Sequence, residues 1–220
     1  MALPAYLTAL NLSAVKVDYT WETVNYNRLW AVTDEDNPRL MEALLSIGVK
    51  AAFAEGIACA EWVVARVTGH VDTTDALLRI EAAWASTLDR GLANLPAISR
   101  APAKAVEFGG PLRLAMNLLS IGHESLRGPG RGVRRSVQGL GMLVDYIAGR
   151  HPAFGPWFSG SLRKLQQHYP KVDMPAEQQP PVPIEFFNPD FVWRDGAGQA
   201  SLERFVGTLN PANNPYFSSP

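Results

Sequence analysis

Cysteine is nearly absent from the sequence, and Cys59 is the only one among 220 residues. A single thiol cannot form an intramolecular disulfide, and it cannot supply the ligand set of a thiolate zinc site or an iron–sulfur cluster. Cys59 stands among small and apolar residues, where a thiol usually packs as a small hydrophobe and seldom acts as a nucleophile. Because free thiols persist in reducing compartments, this cysteine content predicts a cytoplasmic protein.

Long uncharged apolar runs are also missing. A helix that crosses a bilayer needs about 20 consecutive apolar residues, and no run in this sequence approaches that length. The first fifteen residues lack charged side chains, but they also lack the basic segment and the small-residue cleavage site of a signal peptide. The sequence therefore predicts neither a membrane-spanning segment nor export by that route.

Charge is balanced overall but is distributed unevenly along the chain. The formal net charge is −1, whereas residues 1–100 carry −4, residues 101–175 carry +6 and residues 176–220 carry −3. These segments could pack together and neutralise one another, or an acidic face and a basic face could each bind a partner. The sequence pI of about 6.4 and the lack of a recognisable nucleic-acid-binding module argue against nucleic acid as the partner.

The middle of the chain has the periodicity of helices. Apolar residues make up 47% of the sequence and charged residues 19%, which is ordinary for a folded domain of this length. Between residues 36 and 169, apolar side chains recur at helical spacing between capping residues and Gly or Pro breaks. These signals predict six helices, at about 38–47, 49–68, 74 to 91–95, 111–122, 133–148 and 154–168, with a connector at 96–110.

The predicted helices show an internal similarity. Seven identities fall within ten positions at an offset of 74 residues. They are Arg39, Leu40, Leu44, Leu45, Ser46, Ile47 and Gly48, which recur as Arg113, Leu114, Leu118, Leu119, Ser120, Ile121 and Gly122. We therefore hypothesise two related three-helix units, at about 38–95 and 111–168, with chance matching of leucine-rich helices as the alternative.

Both ends of the chain differ from this helical middle. Residues 1–35 contain a short alternation of β-branched and polar residues, and we predict either a short strand or hairpin or a packed irregular arm. Nine of the 17 prolines lie from residue 170 onward, together with several aromatic residues. Residues 170–220 are therefore predicted to form an extended arm with one short helix near 201–209, laid over a surface of its own chain or of another.

These features together predict a mainly α fold. The expected architecture is a helical bundle or a short helical array of two related three-helix units, with an extended proline-rich C-terminal arm. The predicted divisions are an N-terminal arm or short hairpin at 1–35, an α-helical domain at 36–169 and the C-terminal arm at 170–220.

No residue spacing in the sequence specifies a reaction. The four histidines, His70, His123, His151 and His168, lie near predicted helix ends and form none of the Glu-x-x-His or His-x-x-x-His pairs of helical metal sites. Ser159 lacks the glycine elbow of acyl-transfer enzymes, and the glycine-rich loop after residue 127 completes neither a dinucleotide-binding nor a Walker-type pattern. We therefore expect no catalytic residues, no metal site and no cofactor.

A cluster of arginines is the most distinctive local feature. Arg127, Arg131, Arg134 and Arg135 fall within nine residues where a helix is predicted to begin. Backbone N–H groups at a helix start, with guanidinium groups beside them, form an anion site that a phosphate, an acidic protein or a nucleic acid could use. The alternative is a mobile, solvated loop.

Acidic residues on the predicted helices suggest a second patch and other classes of function. Asp72, Asp75 and Glu81 could form an acidic face for a partner. Glu61 and Glu81, each near a tryptophan, could instead join His123 in a helical-bundle active site, which requires a deep pocket and perturbed pKa values. A further alternative is a self-assembling structural or adaptor protein whose C-terminal arm is exchanged between subunits.

A pattern of short motifs runs through residues 50–168. It comprises Glu61-Trp62, Glu81-Ala82-Ala83-Trp84 with Asp89, Gly110-Pro111-Leu112 and Ala115-Met116. This pattern resembles uncharacterised bacterial helical proteins of the immunity type, which are encoded beside secreted antibacterial effectors. The resemblance implies a cytoplasmic inhibitor that binds a toxin and has no catalytic residues of its own.

The resemblance and the charge pattern lead to one main hypothesis. We expect a protein–protein interaction module, an immunity protein or antitoxin that neutralises its partner by occlusion through charge-complementary helical faces. The residues expected to bind the partner are Asp72, Asp75, Glu81, Arg127, Arg131, Arg134 and Arg135.

Overall fold

The computed structural model of the chain is mainly helical, as the sequence predicts. It describes residues 1–98, 107–149, 151–194 and 196–218. Within these ranges the chain forms nine α-helices and no β-strand, and none of the helices has the length and apolar character to cross a membrane. The helices are α1 Ala5–Ala9, α2 Thr23–Trp30, α3 Pro38–Leu45, α4 Val49–Val67, α5 Thr74–Leu88, α6 Gly109–Ser125, α7 Arg131–Ile147, α8 Phe154–His168 and α9 Ala197–Thr208.

The predicted start of α3 and both predicted ends of α8 agree with the observed ones, although only α3 of these two has a side-chain cap. Asn37 accepts a hydrogen bond from the backbone N–H of Leu40 at 3.1 Å and so caps α3. α8 has the predicted bounds of 154–168. α6 is longer than predicted and ends at Ser125. The predicted connector at 96–110 lies partly outside the described residues.

Helix α4 is the centre of the fold. Every residue from Lys50 to Val67 is buried, as expected for a helix that neighbours cover on all sides. α5, α6 and α7 pack around it. The approach of α7 is close because Gly56 has no side chain, and a Cβ atom there would lie 3.0 Å from Cγ2 of Val137. The fully buried residues of α4 include two glutamates and one arginine, namely Glu55, Glu61 and Arg66.

Two buried arginines bind the carboxyl ends of neighbouring helices. Arg66 is 1% exposed and donates from Nε to the backbone carbonyl of Ile147, the last residue of α7, at 2.9 Å. Arg134 of α7 is also buried and donates to the carbonyls of Leu44 at 2.9 Å and Ile47 at 3.3 Å, at the end of α3. Each guanidinium therefore donates to backbone carbonyls that lack a partner at a helix end. Its positive charge also interacts favourably with the negative end of the helix dipole.

The first 35 residues form short helices and loops, and the hairpin considered for them is wrong. α1 and α2 lie within this segment, and residues 16–22 between them have no regular structure. Instead of pairing with a second strand, Tyr19 and Trp21 are buried against the helices. Trp21 covers α6 so closely that a Cβ atom at Gly110 would lie 1.9 Å from its indole Nε1. Tertiary packing therefore outweighs the strand-like alternation in the sequence.

The proline-rich C-terminal residues lie on the helices of their own chain. Phe187 is part of the core, and the indole of Trp157 donates to its backbone carbonyl at 2.8 Å. Further along the chain, Asn214 donates to the carbonyl of Leu78 and to the carboxylate of Glu81, both at 2.8 Å. The short helix predicted in this segment is present as α9. These contacts fasten the segment to α5 and α8.

The first helices of the two predicted three-helix units are unequal. α3 has 8 residues, whereas α6 has 17. Gly48 precedes α4 as its N-cap, while its counterpart Gly122 lies inside α6. Leu45 is 47% exposed, but its counterpart Leu119 is fully buried. The relation between the two units therefore stays a prediction.

Candidate functional site

The arginine cluster predicted at the start of α7 is divided by the fold. Arg134 points inward to the end of α3, and burial lowers the pKa of its guanidinium. Arg127 lies in the loop before α7 and is exposed. Arg131 and Arg135 stand one turn apart on the outer side of α7. The four side chains therefore do not converge on one anion site.

Arg131 and Arg135 share one carboxylate, that of Asp34. Nη2 and Nε of Arg131 lie 2.6 Å and 3.1 Å from Oδ2 of Asp34, and Nε of Arg135 lies 2.8 Å from Oδ1. Hydrogen bonds from Arg135 and Arg131 hold the pKa of Asp34 below its usual value. The Arg131 side chain is 67% exposed and that of Arg135 is 42% exposed. We call these three residues the arginine–aspartate cluster.

Arg127 lines a surface pocket of about 510 Å³ between the end of α6 and the loop after α5. Arg90, His123 and Glu124 line the same pocket, and Pro96 belongs to its apolar wall. We call this the basic pocket, defined by Arg90, His123, Glu124 and Arg127. Arg90 was not among the predicted site residues, because a lone arginine near the end of a predicted helix gives no sign of the residues that the fold brings to it.

His123 and Arg90 have unusual surroundings in the basic pocket. Burial, followed by the positive charges of Arg90 and Arg127, lowers the pKa of His123 to about 4, and a hydrogen bond from its ring to the Arg90 backbone opposes this shift. The imidazole is therefore neutral at pH 7. Burial and then Arg127 lower the pKa of Arg90. In the part of the chain that the structure describes, Nε of Arg90 and Nε2 of His123 are buried without a hydrogen-bond partner.

Two of the residues in the predicted acidic face are engaged by the chain itself. Asp72 accepts a hydrogen bond from the backbone N–H of Thr74 at 2.9 Å and so stabilises the start of α5. Asp75 pairs with Nε of Arg79 at 2.9 Å and accepts a hydrogen bond from the hydroxyl of Tyr216. The side chain of Asp75 is nevertheless 62% exposed.

Glu61, Glu81 and His123, considered as an alternative active site, have different surroundings. Glu81 lies 3.4 Å from the N-terminal amine of Met1. Glu61 is fully buried inside the core. The His123 ring lies 6.3 Å from the ring of Phe53, which precedes Glu61 on α4 by eight residues, or about 12 Å of helix. Glu61 and His123 therefore do not share a pocket.

α4 carries a buried polar cluster of Glu55, Cys59 and Glu61, of which Glu55 was not identified from the sequence. Glu55 is fully buried, and its Oε1 lies 2.7 Å from Oγ of Ser161. Burial raises the pKa of Glu55 and of Glu61 to about 8, so both carboxyl groups are protonated in the folded protein at pH 7. Burial and these two glutamates also raise the pKa of the Cys59 thiol. The available signal was a second glutamate within a run of apolar and small residues on the predicted helix.

A polar cleft of about 580 Å³ lies beside α2 and the end of α7. Asp18, Tyr19, Arg28, Asp145 and Tyr146 are among its lining residues, and the rings of the two tyrosines are 5.6 Å apart. None of the residues predicted to bind a partner lines this cleft. Its acidic and basic side chains give it no strong excess of one charge.

Neither metal ligands nor known relatives indicate the function. Within the described ranges, no group of three or more His, Cys, Asp or Glu side chains could hold a metal ion. Comparison of the chain with protein-family models, with curated proteins and with solved structures finds no match. The surface clusters described above are therefore the basis for the function proposed below.

Proposed function

We propose that this protein is a protein–protein interaction module, namely a cytoplasmic immunity protein that binds a toxin or effector and neutralises it by occlusion. In this proposal the helical array consists of two related three-helix units, and the C-terminal residues act as an extended arm across it. The partner presents an acidic surface to the basic side of α7.

The arginine–aspartate cluster is the observation that carries the proposal. Two guanidinium groups face one carboxylate, so the cluster has one positive charge in excess at a solvated surface. Exposed ion pairs of this kind contribute little to folding stability. Arginine is enriched at protein interfaces because its planar group forms paired hydrogen bonds with carboxylates. A partner carboxylate can therefore bind Arg131 while Asp34 keeps its contact with Arg135.

The acidic residues of the original hypothesis are less suited to this contact. Asp72 and Asp75 bind groups of their own chain, and Glu81 lies beside the N-terminal amine. A basic partner would have to displace these contacts. The same partner surface cannot complement both patches, so we assign the primary contact to the arginine–aspartate cluster.

The test uses the full-length protein with an affinity tag in its native host. Mass spectrometry of the purified material identifies any protein that is recovered in stoichiometric amount, and the association rate is then measured with that purified partner. Arg131→Glu reverses one exposed charge of the cluster, and Arg163→Glu makes the same change at an exposed position on α8. We expect Arg131→Glu to slow association about tenfold at low salt, with a smaller effect at high salt, and Arg163→Glu to leave it unchanged.

Equal association rates for the two variants at low salt would contradict the assigned contact. Recovery of no stoichiometric partner would contradict the interaction module itself. The alternative of a self-assembling protein that exchanges its C-terminal arm predicts a solution mass that rises with concentration, whereas the contacts of the arm with its own chain predict a constant monomer mass.

A further inference from the structure

The basic pocket shares no residue with the arginine–aspartate cluster and is composed differently. Its two arginines come from separate elements: Arg90 follows α5, and Arg127 follows α6. Both side chains line the same pocket, and after burial the charge of Arg127 contributes to the lowered pKa of Arg90. Like charges repel, and an anion bound between the two guanidinium groups relieves this repulsion.

The charged side chains that line the pocket leave an excess of positive charge. Glu124 is an exposed carboxylate in the lining, and it offsets one of the two arginines. Outside the lining, the negative charge of Glu177 also acts on Arg90, and those of Glu177 and Asp89 act on Lys50. The side chains that line the pocket, two arginines and one glutamate, therefore carry one net positive charge.

His123 lies buried in the wall of the pocket that the two arginines line. It is 4% exposed, and its ring bonds the backbone of Arg90. Its Nε2 is buried without a hydrogen-bond partner within the described residues. His123 thus contributes a buried, neutral wall to the pocket that Arg90 and Arg127 line.

We propose that the basic pocket binds a small oxyanion of the phosphate class between the guanidinium groups of Arg90 and Arg127. A tetrahedral anion offers several oxygens, so each planar guanidinium can form paired hydrogen bonds with it. The volume of about 510 Å³ exceeds the size of a free phosphate ion. It leaves room for a small organic group, so a phosphomonoester fits the same chemistry as inorganic phosphate.

This site is independent of the proposed function, because none of the arginine–aspartate cluster residues lines it. Loss of partner binding in Arg131→Glu leaves the phosphate site unaffected. Failure of phosphate binding likewise leaves the association experiment unaffected. The two proposals can therefore fail separately.

The direct test is calorimetric titration of the full-length protein at pH 7 and constant ionic strength. The ligands are inorganic phosphate, glycerol 3-phosphate as a phosphomonoester, and acetate as a carboxylate with the same charge type but fewer oxygens. We expect saturable phosphate binding with a Kd of about 1 mM or below and at least about tenfold weaker binding of acetate. Tighter binding of glycerol 3-phosphate than of phosphate would identify an organic phosphate as the natural ligand class, and equal binding would identify the free ion.

Two exposed residues of the pocket allow variants with effects of opposite sign. Arg127→Gln removes a cation and should weaken phosphate binding about tenfold, with Arg127→Lys between it and the wild type because lysine keeps the charge but loses the planar fork. Glu124→Gln removes the opposing carboxylate and should strengthen binding severalfold. Arg163→Gln is the control for loss of one surface cation and should bind phosphate like the wild type. No saturable binding, or equal effects of Arg127→Gln and Arg163→Gln, would overturn the proposal.

The imidazole of His123 provides a second readout that does not depend on affinity. Its pKa of about 4 is partly due to the charges of Arg90 and Arg127. A bound anion offsets these charges, so the pKa of His123 measured by NMR should rise when phosphate is added. The same addition to Arg127→Gln should produce a much smaller rise. An unchanged pKa of His123 at saturating phosphate would place the anion elsewhere.

Discussion

Replacement of Glu61 by glutamine should make the protein more stable at neutral pH. The side chain is 1% exposed, and burial raises the pKa of its carboxyl group from 4.5 to about 8. Between these two pH values the folded protein holds a proton that the unfolded chain has released, so the free energy of unfolding falls as the pH rises. The fall is about 1.4 kcal/mol per pH unit, which amounts to about 3 kcal/mol between pH 4.5 and pH 7.

Glutamine removes this titration and keeps the local geometry. Its carbonyl can accept the hydrogen bond that the indole of Trp84 donates to Glu61 at 2.9 Å. Its amide nitrogen takes the place of Oε2, which has no hydrogen-bond partner in the described part of the chain. We therefore expect Glu61→Gln to match the wild type near pH 4.5 and to exceed its free energy of unfolding by about 3 kcal/mol at pH 7. Glu55 has a similarly raised pKa and maintains the remaining pH dependence.

Urea denaturation followed by circular dichroism at several pH values between about 5 and 7.5 measures this difference. Glu42→Gln is the matched control, because Glu42 is an exposed glutamate on α3, and its variant should keep the pH dependence of the wild type. If the wild type and Glu61→Gln lose stability in parallel as the pH rises, Glu61 is not held protonated by burial. That result would refute the reasoning.

Three further substitutions test the packing of the helices and the C-terminal segment. Arg134→Met removes the donors to the end of α3 and should lower the free energy of unfolding by about 3 kcal/mol, whereas Arg163→Met should change it by less than about 0.5 kcal/mol in the same urea assay. Gly110→Ala places a methyl group against the indole of Trp21, which covers α6, and should lower the free energy of unfolding by about 2–3 kcal/mol. Gly160→Ala inside α8, where a Cβ meets no atom within 4 Å, should stabilise by about 0.5–1 kcal/mol, and equal effects of the two alanines would contradict the packing argument. Asn214→Ala removes the bonds to α5 and should speed hydrogen exchange of the last residues without a comparable change in α4, whereas unchanged exchange would show that the bonds do not hold the segment.

Local signals in the sequence were sufficient for most of the helices. Asn37 was identified as a cap because an asparagine side chain reaches the backbone N–H three residues later, which requires no distant partner. The end of α8 was predicted from another local signal, Pro170, which follows it and cannot continue a helix. The strand-like alternation before Trp21 failed as a signal, because packing against α6 supplied more contacts than a hairpin with no second strand.

The positions of the charged side chains could not be predicted in the same way. Arg134 and Arg135 are neighbours in sequence, yet one is buried against α3 and the other binds Asp34 at the surface. Which side of α7 faces the core depends on helices that lie far away in sequence. The partners of these arginines come from residues about 90–100 positions earlier, and no local pattern links them.

By itself, the sequence determined the helical class, the approximate helix bounds and the lack of a disulfide framework, because these depend on composition and on contacts within a few residues. The tertiary structure alone decided which ionisable groups are buried and which meet at the surface. Glu55 and Glu61 became neutral acids only because other helices surround α4. The basic pocket exists only because the ends of α5 and α6 bring Arg90 and Arg127 together. Burial and charge proximity are properties of the folded chain, since both depend on residues that are remote in sequence.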